Sequence, residues 1–230
     1  MISIKNNSGI KFNYMKINLL IIAILFLFTS TLSAQSQNAG TFSFQAGYDL
    51  GVHGTKYTSK FGGFVVDTDT SAALTKMAGL SAQYNIVNWL SFGATYTFGG
   101  YVEDTADANA NGNRTGYITF DLRAYPINGE RFNLYVGPEF GYSYLEINRL
   151  LPGNIDEIYN YNGGHFGVNL GFNWYFVDFA GVFMQLEYTK NNFTLQDYSL
   201  DGTAIDLTNF DVTLDTFSAG AKFGLCFKIN

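Results

Sequence analysis

The stretch LSFGATYTF, Leu90 to Phe98, decides the fold. Leu90, Phe92, Ala94, Tyr96 and Phe98 alternate with Ser91, Gly93, Thr95 and Thr97. A period of two means a β-strand with one apolar and one polar face. The open question is whether the apolar face looks into a protein core or out into lipid.

The alternation recurs seven more times: Phe42 to Leu50, Leu80 to Tyr84, Ile118 to Ala124, Leu134 to Tyr144, Phe166 to Trp174, Val182 to Tyr188 and Phe217 to Ile229. This predicts eight strands of about 9–12 residues, close to what a tilted transmembrane strand needs. The connections alternate as well. Ile86 to Trp89, Pro126 to Arg131 and Phe176 to Phe179 read as short turns. The stretches near 52–75, 99–115, 147–163 and 190–212 read as long loops, rich in Asp, Asn, Gly and Thr. Short turns at one end and long loops at the other mark an outer-membrane barrel.

Volume decides which face is out. The interior of an eight-stranded barrel is just wide enough for side chains to fill it, and it has no room for so many Phe, Tyr and Trp residues. The Gly-, Ser-, Thr- and Asn-rich face is small enough. It also lacks the Lys and Glu that keep a soluble barrel dispersed. The apolar face therefore points outward into lipid, where a closed barrel leaves no backbone group unpaired. Composition agrees. Aromatic residues make up 17% of the chain and charged residues only 14%, against roughly 25% charged in average soluble proteins. Aromatic residues also gather near strand ends. Tyr84, Trp89, Trp174, Tyr175, Phe176 and Phe179 suit one interfacial girdle, and Tyr48, Tyr96, Phe98, Tyr144 and Tyr188 suit the other.

The N-terminus reads as a secretory signal over residues 1–34. Lys11 and Lys16 precede the uncharged run INLLIIAILFLF, Ile17 to Phe28, and small residues follow up to Ala34. Met15 opens a complete signal by itself, so it is an alternative start. Cleavage after Ala34 leaves a mature barrel of residues 35–230. That removes three Lys and no acid, giving 10 − 19 = −9. So acidic a chain excludes a nucleic-acid partner, which would need a basic surface. Cys226 is the only cysteine, so no internal disulfide can form.

The whole pattern, over residues 41–229, resembles the OmpA/OmpX-like outer-membrane β-barrel domains of Gram-negative bacteria. The most motif-like part is the last strand, where Lys222, Gly224, Phe227 and Ile229 match that family's assembly signal, with Asn230 as a departure from its aromatic end. The resemblance implies that the barrel-assembly machinery reads this strand. The expected surroundings are membrane lipid and lipopolysaccharide, and the barrel is expected to be a monomer.

Charges on the polar face are few. Asp49, Glu139, Glu187 and Lys222 fall at similar height, with Arg123 lower. Charges in such a lumen must be paired or hydrated. The expectation is a polar plug in which Lys222 and Arg123 compensate Glu139 and Glu187, with no open channel. A small-solute or ion path is the alternative. A lipid A-modifying enzyme is the third reading, but His53 and His165 sit in no recognisable catalytic motif, and Ser143 and Ser218 carry no signature. No cofactor or metal spacing is present, and the acidic loops match no EF-hand. The loop aromatics Tyr57, Phe61, Phe64, Tyr159, Tyr161 and Tyr198 leave an extracellular protein partner open.

Overall fold

The computed structural model describes residues 36–103 and 112–229. The expected signal sequence and its cleavage site after Ala34 lie outside the described residues, as does Asn230. Eight long antiparallel strands follow one another: β1 Phe42–Phe61, β2 Phe64–Val87, β3 Leu90–Glu103, β4 Arg114–Asn128, β5 Phe132–Leu151, β6 Ile155–Tyr175, β7 Ala180–Leu200 and β9 Phe210–Ile229. A two-residue strand, β8 Thr203–Ala204, pairs only with the tip of β7. Each long strand bonds to its neighbour in sequence, β7 bonds to β9, and β9 bonds back to β1. The ring is closed, and the fold is the expected eight-stranded up-and-down barrel.

Polar and apolar faces also fall as expected. Phe44, Leu80, Phe92, Phe120, Phe140, Phe166, Leu186 and Phe223 are exposed on the outer wall, while Ser43, Gln83, Ser91, Thr119, Asn169 and Gln185 are buried inside. One girdle residue is different. Tyr175 is 1% exposed and points into the lumen, because its flanking residues Trp174 and Phe176 take the outward positions.

The strands are much longer than the alternation suggested, from 14 residues in β3 to 24 in β2. Twenty residues at about 3.4 Å each, tilted by about 40°, reach about 50 Å, twice the apolar band of about 25 Å on an outer-membrane barrel. Most of the expected long loops are therefore strand. The tips are tight turns, such as Gly62–Gly63, where both residues have positive φ (56° and 88°) as a two-residue hairpin requires.

The reason the extension escapes a pattern reading is that the pattern changes phase. On β9 the outward residues Phe217, Ala219, Ala221 and Phe223 are apolar. Above them the outward residues are Thr213 and Asp215, and the inward ones are Val212 and Leu214. On β7, Met184, Leu186 and Tyr188 face out, but higher up Asn192 and Thr194 face out and Phe193 faces in. On β5 the inward residues turn from Glu139 and Ser143 to Leu145 and Ile147. Below the switch the barrel is built for lipid, apolar outside and polar inside. Above it the barrel is built for water. A buried cluster of Ala73, Tyr101, Leu145, Ile147, Tyr161, Phe193, Val212 and Leu214 fills the upper lumen.

The seam between β9 and β1 depends on close backbone approach. Gly224 lies opposite Gly47, and a Cβ on Gly224 would stand 2.1 Å from the Ala46 carbonyl oxygen. Gly224→Val is expected to block ring closure, so that the variant loses the compact, heat-modifiable gel band of the folded barrel in unboiled samples.

Candidate functional site

Three tiers of polar contacts fill the lumen beneath the apolar cluster. The middle tier is centred on Arg123, which is 2% exposed. Its Nε donates to Asp121 Oδ2 at 2.6 Å and its Nη1 to Gln45 Oε1 at 2.9 Å, and the guanidinium lies 4.5 Å over the ring of Tyr135. Gln83 Nε2 donates to both Asp121 oxygens at 2.8 Å, and Tyr135 Oη donates to Gln185 Oε1 at 3.0 Å. These groups come from five strands, β1, β2, β4, β5 and β7, so the network ties opposite walls together.

The next tier up holds Lys222. Its Nζ lies 2.6 Å from Glu187 Oε2 and 3.6 Å from Asp49 Oδ2. Asp49 and Lys222 are direct partners across the β1–β9 seam. Glu139 is held differently, at 3.2 Å from His165 Nε2, and it accepts from Asn169 Nδ2 at 3.3 Å. His165 Nδ1 lies 2.8 Å from Asn191 Oδ1. All five expected lumen residues thus face inward, but their pairing departs from the expectation. Arg123 is taken by Asp121, two residues away on the same face of β4, and Glu139 by His165. Asp121 is not among the residues expected in the plug and His165 is expected only as a catalytic candidate, although Asp121 and Arg123 both lie on the inward alternation of one strand.

The lowest tier has no counterpart in the sequence reading. Ser36 and Gln37, 1% and 0% exposed, fold into the short-turn mouth ahead of β1. Gln37 Nε2 donates to Tyr175 Oη at 2.8 Å, and its Oε1 accepts from Ser43 Oγ and Asn85 Nδ2. Its backbone N–H donates to Asn128 Oδ1 at 3.0 Å. Lys228 Nζ donates to the Ser36 carbonyl at 3.0 Å. The only hint in the sequence is a concentration of inward Asn and Gln at that end, which offers many donors and acceptors to an entering segment. The other assembly-signal residues lie along β9: Phe227 and Ile229 face outward, and Gly224 sits in the seam.

The histidines are sequestered. His53 Nε2 lies 2.9 Å from Thr75 Oγ1, and among the described residues no side-chain hydrogen bond joins a histidine to a serine, although His53 and Ser218 are direct partners across the β1–β9 seam. No group of three or more metal-ligating side chains is found among them either.

The ring is closed and antiparallel, with a lipid-facing outer wall and a polar lumen, and residues 24–224 match the family model of the outer membrane protein beta-barrel domain. The chain belongs to that family. Its place is the bacterial outer membrane. Among solved structures it is similar to the outer membrane protein OprG from Pseudomonas aeruginosa, at 15% identity over 86% of this chain and 100% of that one, with a TM-score of 0.57. It is also similar to the outer membrane protein AlkL in lipid bilayers, at 11% identity over 84% and 92%, with a TM-score of 0.50. The outer membrane protease OmpT from Escherichia coli aligns at 11% identity over 81% and 97%, with a TM-score of 0.41. At these identities the likeness is one of fold. No curated protein matches the sequence.

Arg123→Ala is expected to lower unfolding stability by about 3–5 kcal/mol, because it strands the buried Asp121 carboxylate. Asp121→Leu combined with Arg123→Met removes both charges and should restore most of that loss. Urea unfolding of the refolded barrel in detergent checks both.

Proposed function

We propose that this outer-membrane barrel is closed to solutes, catalyses no reaction, and works through the β-structured extension that it raises above the membrane. The observation that carries the reading is the stacking of four barriers along one lumen. From the short-turn end these are the Ser36–Gln37 cap, the Arg123–Asp121 network, the Lys222–Glu187–Asp49 and His165–Glu139 groups, and the apolar cluster around Tyr161 and Phe193. An ion crossing it would have to break several buried charge pairs and then pass an apolar layer, and each step is costly.

A lipid-modifying role is disfavoured by the same geometry. Lipid meets the outer wall, while His53 and His165 are 3% and 2% exposed inside the barrel. The extension presents polar outer strand faces and exposed tip residues, Phe61, Phe64, Val65 and Phe210 among them, to whatever approaches the cell. Lipopolysaccharide around its base and an extracellular partner at its tips are the contacts this reading assigns. The last strand, with Lys222, Gly224, Phe227 and Ile229, serves as the signal for the barrel-assembly machinery.

Single-channel recording of the refolded barrel in a planar bilayer tests the reading. Silence at moderate voltage is expected. Discrete, reproducible current steps would overturn it and put the transport reading first.

A further inference from the structure

Above the apolar cluster the lumen opens at the long-loop end into a vestibule of about 260 Å3. Its wall carries three inward aromatic residues, Tyr57, Tyr159 and Tyr161, with Ile147 and Leu214. Four charged residues line it too: Asp67, Asp69, Glu103 and Arg149. We propose that this vestibule binds a small organic cation with an apolar body, of the quaternary ammonium type.

The charge balance points this way. Arg149 Nη2 is paired with Glu103 Oε2 at 3.1 Å. Burial works against the Arg149 charge, but the Glu103 carboxylate more than offsets it and holds the guanidinium's pKa above its ordinary value. Those two charges therefore cancel. Asp67 and Asp69 have no ion-pair partner among the described residues. They sit on the inward side of β2, in the same alternation as Ser71 and the buried Ala73. The vestibule thus carries a net charge of about −2 over an apolar floor. A bare metal ion would meet an apolar floor and no set of three ligands.

The wall completes the match. The faces of aromatic rings attract cations, and aromatic cages are the usual hosts for alkylated ammonium groups. This wall already does so once: the Arg149 guanidinium lies 5.5 Å over the ring of Tyr159. Tyr159 is fixed by stacking on Tyr161 and on Tyr198, at 6.3 and 4.8 Å between ring centres. Burial raises the phenol pKa of Tyr161, so the wall stays neutral and the negative charge stays at the rim. A cation with methyl groups can lay its body against Tyr57, Tyr161 and Leu214 while its charge faces Asp67 and Asp69. Asp67 and Asp69 stay exposed at the rim, so their field favours a cation over a neutral ligand of the same shape and repels an anion.

The inference deepens the surface-binding reading and rests on it, since a continuous passage would make the vestibule a doorway rather than a site. Titration calorimetry of the refolded barrel in non-ionic detergent tests it with three probes: choline, its neutral carbon isostere dimethylbutanol, and phosphocholine. Choline is expected to bind saturably, the isostere not to bind, and phosphocholine to bind more weakly because it brings its own anion. Asp67→Asn with Asp69→Asn should weaken choline binding at least about tenfold. Asp197→Asn with Asp201→Asn, which removes equal charge outside the vestibule, should leave it unchanged. Tyr57→Leu keeps the apolar volume and should also weaken binding. Absence of choline binding, equal binding of the isostere, tighter binding of phosphocholine, or equal effects of the two double variants would each overturn the proposal. A barrel that conducts yet binds choline as described overturns only the closed-lumen reading. A silent barrel that ignores choline overturns only the vestibule.

Discussion

The closed ring on which the rest of this protein is built follows from one constraint: in hydrocarbon no backbone N–H or C=O can be left without a partner. A strand in lipid must be paired on both sides, so the sheet has to close. Closure is made at the seam of β9 with β1, the strands furthest apart in sequence. That seam is packed through Gly47 and Gly224, where there is no space for a Cβ. Eight strands then set a lumen narrow enough for side chains to meet across it. Once they meet, any charge among them must find a partner there.

The chain uses the same ring in two solvents. Within the membrane it keeps its small polar residues inside and its large apolar ones outside. Beyond the membrane the arrangement inverts, so that Leu145, Phe193 and Leu214 lie inside and polar residues such as Asn192 and Thr213 lie outside. The ladder runs on through this boundary, with one register shift between β6 and β7 at Asn160 and Tyr161, because hydrogen bonding is indifferent to which face is wet. The change is made by side chains alone. It lets the barrel stand well clear of the membrane as ordered β-structure and roofs the polar lumen with an apolar layer. The vestibule exists because that layer stops short of the rim.

The lumen itself is organised by desolvation. Arg123 and Lys222 are removed from bulk water and held by carboxylates together with neutral amides and phenols from several strands. Such groups do more to fix one arrangement than to add stability, because the attraction mostly offsets what burial costs the ions. The cap formed by Ser36 and Gln37 extends the same logic to the short-turn mouth, where a segment outside the barrel strands supplies partners that the wall cannot supply for itself.

The sequence by itself determined the strand type, the strand number, the inward and outward faces and the membrane as solvent. The first three are carried by a local period of two that recurs eight times along the chain, and the last by the bulk of the apolar face. It also placed Asp49, Arg123, Glu139, Glu187 and Lys222 in the lumen, since a residue's face follows from its parity along the strand. Only the tertiary structure decided which charges meet. Partners across a barrel depend on closure and on the stagger between strands, and neither leaves a local trace. Arg123 with Asp121 is the exception: their spacing of two was visible, but nothing local showed that the more distant carboxylates would find other partners. The extension was hidden for a related reason. Alternation signals a strand only while its phase is constant, and here the phase reverses where the solvent changes from lipid to water. One strand therefore reads as a strand followed by a loop until its neighbours show that the ladder continues.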